Sequence, residues 1–105
     1  MAITSFGVTG SLSTSSTALK AASGSKVHVV GLNFHNTSST TTRTITINVD
    51  DSSTDVVTKI FDLEPLADRE FTWPGAGCVI EDGGDLSAKQ DTGTDVTFHI
   101  SGTEG

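Results

Sequence analysis

The stretch RTITINVDD, residues 43–51, places Ile45, Ile47 and Val49 on one parity and Thr44, Thr46 and Asn48 on the other. A period of two lines up one face of a strand, whereas on a helix the same residues would be scattered around the axis. The alternation recurs in KVHVVGLNFHN, REFTW and DVTFHIS, VVTKIFDLE, CVI and DLSAKQ read as further short strands, and another is expected around residues 16–21. In DVTFHIS, Val96, Phe98 and Ile100 point inward. In KVHVVGLNFHN, Val30, Leu32 and Phe34 share one parity while Val27 and Val29 take the other, the phase change of a bulge or of a strand buried on both faces. Between these runs stand TSSTTT, DSSTD, PLAD, PGAG, EDGGD and DTGT, all rich in turn-forming residues.

No stretch has helical periodicity, and eight or nine short strands at near-regular spacing predict an all-β antiparallel sandwich of jelly-roll or Greek-key type. Its 105 residues suffice for one modest core. The expected division is an extended arm over residues 1–15, where apolar signal is confined to Ile3, Phe6 and Val8, followed by a single sandwich over residues 16–105.

Polarity is carried by 17 Thr and 13 Ser, and charge is split along the chain. Residues 1–49 hold no Asp or Glu and only Lys20, Lys26 and Arg43. Residues 50–105 hold all 13 acids against Lys59, Arg69 and Lys89. The net charge of −7 opposes binding to nucleic acid or anionic lipid, and no apolar run approaches the roughly 20 residues that span a bilayer. Neither partner is expected. A lone Cys78 forms no internal disulfide, and MAITSFGVTG has neither the basic nor the long apolar region of a secretion signal, so synthesis in a cytoplasm is expected.

Local chemistry is sparse. His28, His35 and His99 lack metal-ligand spacing, and the parity of His35 and His99 turns them outward. Cys78, in an apolar strand, reads as a small buried hydrophobe. EDGGD gathers Glu81, Asp82 and Asp85 around Gly83 and Gly84, and DDSSTD holds Asp50, Asp51 and Asp55. Neither has the spacing of a calcium loop, while Gly-Gly and Asp suit a tight turn. No catalytic residue, metal or cofactor is expected.

Taken together, STALKAASGSKVHVVGLNFHN, RTITINVDD, VTKIFDLEPLADREFTW and CVIEDGGDLSAK with TDVTFHIS resemble small all-β virion proteins of tailed bacteriophages. The resemblance covers about residues 16–101, with Asp85 and Leu86 in the G-D-x-L-like place. It departs at the C-terminal GTEG, where an aliphatic ending is common. It implies a capsid cement or decoration protein that binds the major capsid protein on the head surface, bridges its subunits and self-associates, often as a trimer. Under that resemblance Ile3, Phe6 and Val8 are the expected capsid-docking residues, and Trp73, His35 and His99 the expected contacts between copies. A neck or tail adaptor shares these features. A carbohydrate-binding or adhesin module would need more exposed aromatics than one Trp and no Tyr provide.

Overall fold

The computed structural model describes residues 3–50, 56–71 and 78–105. Among them nine strands form: β1 (Thr4–Ser11), β2 (Thr17–Ala21), β3 (Val27–Asn36), β4 (Arg43–Asp50), β5 (Val56–Leu63), β6 (Asp68–Glu70), β7 (Cys78–Ile80), β8 (Asp85–Gln90) and β9 (Val96–Glu104). They pair antiparallel in two sheets. The first has the order β1-β9-β3-β6, with β7 also on β3, and the second the order β2-β8-β4-β5. Because β6 pairs with Asn33–His35 and β7 with Val27–Val29, both lie on the side of β3 away from β9 and share one position. With β6 and β7 counted as one position, successive strands alternate between facing sheets except at the β4–β5 hairpin, as in a jelly roll.

Alternation delivers the core. Ile45, Ile47 and Val49 of β4, Leu86 and Ala88 of β8, and Leu63 of β5 face Leu32 and Phe34 of β3 and Val96, Phe98 and Ile100 of β9, all of them buried. At the rim, Phe61 sits 5.7 Å from the Phe34 ring centroid and stacks on Phe71 at 6.3 Å, with the Arg69 guanidinium 4.4 Å above Phe61.

The expected phase change in β3 is a bulge, since the β3–β9 register shifts between Val29 and Gly31. Val27, Val29, Leu32 and Phe34 can then all be buried, while Val30 turns outward and is 69% exposed. The bulge also brings β9 very close. A Cβ on Gly102 would stand 2.0 Å from the backbone oxygen of His28.

Residues 1–15 depart from the expected arm. Over Thr4–Ser11 they form β1, paired with β9 through eight uninterrupted positions from Thr4↔Glu104 to Ser11↔Thr97. The hydropathy pattern did not announce this strand because backbone pairing, more than side-chain burial, holds it; only Phe6 and Gly10 of β1 are less than exposed. Leu12, buried in the crossover to β2, carries the chain from one sheet to the other. Of the expected strand REFTW the described residues put Arg69 and Glu70 in β6, extended by one bond from Phe71 N to Leu32 O (2.8 Å). Trp73, Asp51 and Asp55 lie outside the described residues.

Two buried amides fasten the loops. Asn36 Nδ2 donates to the carbonyls of Thr41 (2.8 Å) and Leu63 (3.0 Å), and its Oδ1 accepts from Ser38 N (3.0 Å). Gln90 Nε2 donates to Leu12 O at 2.6 Å, and Gln90 N to Ser13 O at 3.0 Å, binding the crossover to β8.

Candidate binding surface

Side chains that alternate away from the core form an outer face on each sheet, and the two faces differ in charge. On the first sheet, Ser5, Gly7, Thr9 and Ser11 of β1 stand beside Thr103, Ser101, His99 and Thr97 of β9, which in turn stand beside His28, Gly31, Asn33 and His35 of β3. None of these is a carboxylate. The one acid of β9, Glu104, has the opposite parity and pairs with Lys20 of the other sheet at 3.0 Å. Among the described strand residues, acids enter this face at its edge, with Asp68 and Glu70 of β6. The outer face of the second sheet carries Asp50, Asp62 and Asp85 with Lys89, and Asp50 lies directly across from Asp85. The two faces do not follow the charge split along the chain, since acid-free β2 and most of β4 lie in the second sheet; the neutral face arises because β9, whose one acid is Glu104, stands between the acid-free β1 and β3.

Ile3, Val30 and Val79 give the neutral face an apolar end, while the other strongly exposed aliphatic side chains, Ile60 and Leu66, lie elsewhere, Ile60 on the outer face of the second sheet. Ile3 is 75% exposed and Val79 44%, and together with His28 and Thr103 they line a shallow depression that also receives Lys26 and Glu104. Val30 projects from the adjoining part of β3. Toward the opposite end, Thr9, Asn33, His35, Asp68, Thr97 and His99 line a second depression. There His99 Nδ1 is 2.8 Å from Thr9 Oγ1 across the β1–β9 pair. His35 Nδ1 is 2.6 Å from Asp68 Oδ1, a close approach that lacks hydrogen-bond geometry.

The expected site residues separate accordingly. His35 and His99 come together on the neutral face. Ile3 lies at its apolar end, but Phe6 and Val8 have the other parity and turn toward the core side. Phe6 packs against the core, with Lys20 Nζ 4.5 Å from its ring centroid, and Val8, 38% exposed, sits at the rim. Val30 and Val79 were missed as surface residues. The phase change at Val30 was their one signal, because a bulge must turn one residue of the run outward.

EDGGD is a turn. Gly84 N donates to Glu81 O (2.9 Å), Gly83 adopts φ 93°, and Gly83 N donates to Ala22 O (2.9 Å). Two of its acids have structural work: Asp82 Oδ1 accepts from Gly24 N at 2.7 Å, and Glu81 lies 3.5 Å from Lys26 Nζ. Among the described residues no three His, Cys, Asp or Glu side chains gather as a metal-binding group. Cys78 is buried, 4% exposed, and desolvation pushes its thiol up to about 11. At neutral pH it is a protonated core side chain. No family model, curated protein or solved structure matches the chain.

Proposed function

We propose that this protein is a non-catalytic structural component of a bacteriophage virion, a capsid cement or decoration protein that lies with the outer face of its first sheet against the major capsid protein. The observation that carries the reading is the carboxylate-free outer face over β1, β9 and β3 in a chain of net charge −7. Burying an unpaired carboxylate in an interface costs several kcal/mol, so a flat face of hydroxyls, glycines and imidazoles is the part of this molecule that can be covered at least cost. Ile3, Val30 and Val79 add apolar area at one end, and the histidines and hydroxyls supply donors and acceptors for the rest. The acidic outer face of the second sheet stays in water, where it keeps the coated particles apart. Each contact is small, and retention comes from many copies on a repeating lattice, each bridging neighbouring subunits. The jelly-roll architecture and the resemblance of residues 16–101 to small virion proteins support the same reading.

Two matched substitutions test it. Ser101→Asp places a carboxylate in the neutral face, and Thr46→Asp places one in the already acidic face. Mixed with capsids assembled from the major capsid protein alone, Ser101→Asp should lose most of its bound copies, whereas Thr46→Asp should retain the parent occupancy. Equal occupancy for both would refute docking through the first sheet.

A further inference from the structure

A free strand edge presents unpaired amides and carbonyls, and natural sheets guard such edges with charges, prolines, bulges or shortness. Three positions at the sheet margins are guarded here. β2 carries a register shift between Ala18 and Lys20. β5 turns Lys59 toward the core side opposite Ile47. β6 and β7 have three residues each, and all three of β6, Asp68, Arg69 and Glu70, are charged. β1 has none of these guards. Its eight residues, TSFGVTGS, contain no charge and no proline, and its pairing with β9 has no shift.

The backbone groups on that edge can be named. Leu12 N donates to Val96 O at 2.9 Å, and antiparallel pairs alternate between hydrogen-bonded and non-hydrogen-bonded. Going back along β1 from Leu12, the even-numbered residues exchange hydrogen bonds with β9. Ser5, Gly7, Thr9 and Ser11 therefore turn their N–H and C=O groups to the open edge.

From this edge we propose that β1 pairs antiparallel with β1 of a second copy, about a two-fold axis centred on Val8. That register joins Ser5 to Ser11 and Gly7 to Thr9 of the other copy, so all four outward residues on each chain find partners. It also sets Val8 against Val8 in a non-hydrogen-bonded pair, where side chains approach most closely, and covers an aliphatic side chain now 38% exposed. A copy of this chain is the occupant that the self-complementary register fits, and the charges permit it at this edge. Two molecules of net charge −7 repel wherever their acids meet, and β1 belongs to the segment that has none. The contact is self-complementary, as a two-fold requires. The axis stands perpendicular to the sheet, so both neutral faces look the same way in one continuous sheet. The pairing does not depend on what that face binds.

Sedimentation equilibrium across the micromolar range should give the mass of two chains. Val8→Lys puts like charges opposite each other at the axis. Gly7→Pro removes an N–H that faces the open edge and leaves the β1–β9 bonds in place. Each should weaken association at least about tenfold with the β-sheet circular dichroism spectrum of the parent. If Gly7→Pro does not fold, Val8→Lys alone decides. In a Cys78→Ala background, Val8→Cys with oxidised glutathione should give a disulfide-linked dimer, since the pair's Cα separation of about 4.5 Å suits a disulfide. A monomer at every concentration, the mass of a trimer, or a dimer untouched by Val8→Lys would overturn the proposal.

Discussion

Gly102 is where one methyl group does the most damage. Its Cβ in Gly102→Ala would lie 2.0 Å from the His28 carbonyl oxygen, 3.0 Å from the carbon of that carbonyl and 3.1 Å from Cε1 of Phe6. Phe6 can swing away, but the carbonyl belongs to the backbone of β3 just before its bulge, and it moves only if β3 and β9 separate. Overpacking in a core typically costs about 1–3 kcal/mol, and a clash with fixed backbone belongs at the top of that range. At about 4–8 °C per kcal/mol for a domain of this size, a loss of about 3 kcal/mol lowers Tm by roughly 12–24 °C. Gly7→Ala is the internal control. Its Cβ would meet only His99 Cε1 at 3.6 Å, an ordinary contact, and the smaller backbone entropy of the unfolded chain should leave stability equal to or about 0.4–1 kcal/mol above the parent. Differential scanning calorimetry of the parent and both variants measures the effect. A Gly102→Ala variant within about 0.5 kcal/mol of the parent, the ordinary scatter of surface substitutions, would refute the close β3–β9 approach.

Asn36→Ala removes three hydrogen bonds around a buried amide and should cost about 2–4 kcal/mol in urea denaturation at unchanged m value, taking about 1 kcal/mol per bond. Cys78 should react with a thiol reagent only at the rate of unfolding. Its folded pKa, about 11, lies above the ordinary 9.0, so the native state holds the proton longer. That contribution is intact below pH 9 and is lost as pH rises toward 11, at most about 2.7 kcal/mol, and the extra loss should vanish in Cys78→Ala. Millimolar calcium should leave Tm unchanged, because Asp82 and Glu81 already serve the turn; a rise abolished by Asp85→Ala would instead establish a cation site.

Nearly every strand with a buried face was legible. β3, β4, β8 and β9 each alternate strictly or break phase once, at the bulge, and each lies where its apolar residues indicate. β1 was not legible for a physical reason: a strand held by its backbone ladder to β9, with Gly7, Gly10 and four hydroxyl residues among its members, leaves little hydrophobic pattern to read. The close contact of Gly102 with His28 was hidden too, since it joins residues far apart in sequence through a bulge. The candidate surface was half legible. Parity alone turned His35 and His99 outward, and the absence of acids from residues 1–49 was plain. That a neutral face results depends instead on the strand order β1-β9-β3, which sets β9 of the acid-rich half between two acid-free strands, a long-range fact that one sequence does not carry. Phe6 and Val8 looked like docking residues because an arm has no parity; once paired, β1 turns them away from the outer face.

The central claim, that many copies coat a capsid with the first sheet facing it, is tested most directly by imaging. Cryo-electron microscopy of virions from the strain that encodes the chain, with copy number from gel densitometry, would place the protein on the particle. The account predicts density over the whole head surface, in a number comparable to the major capsid protein, with β1, β9 and β3 turned toward the shell. A few copies confined to a portal or tail, or a coat that presents its acidic sheet to the capsid, would contradict it.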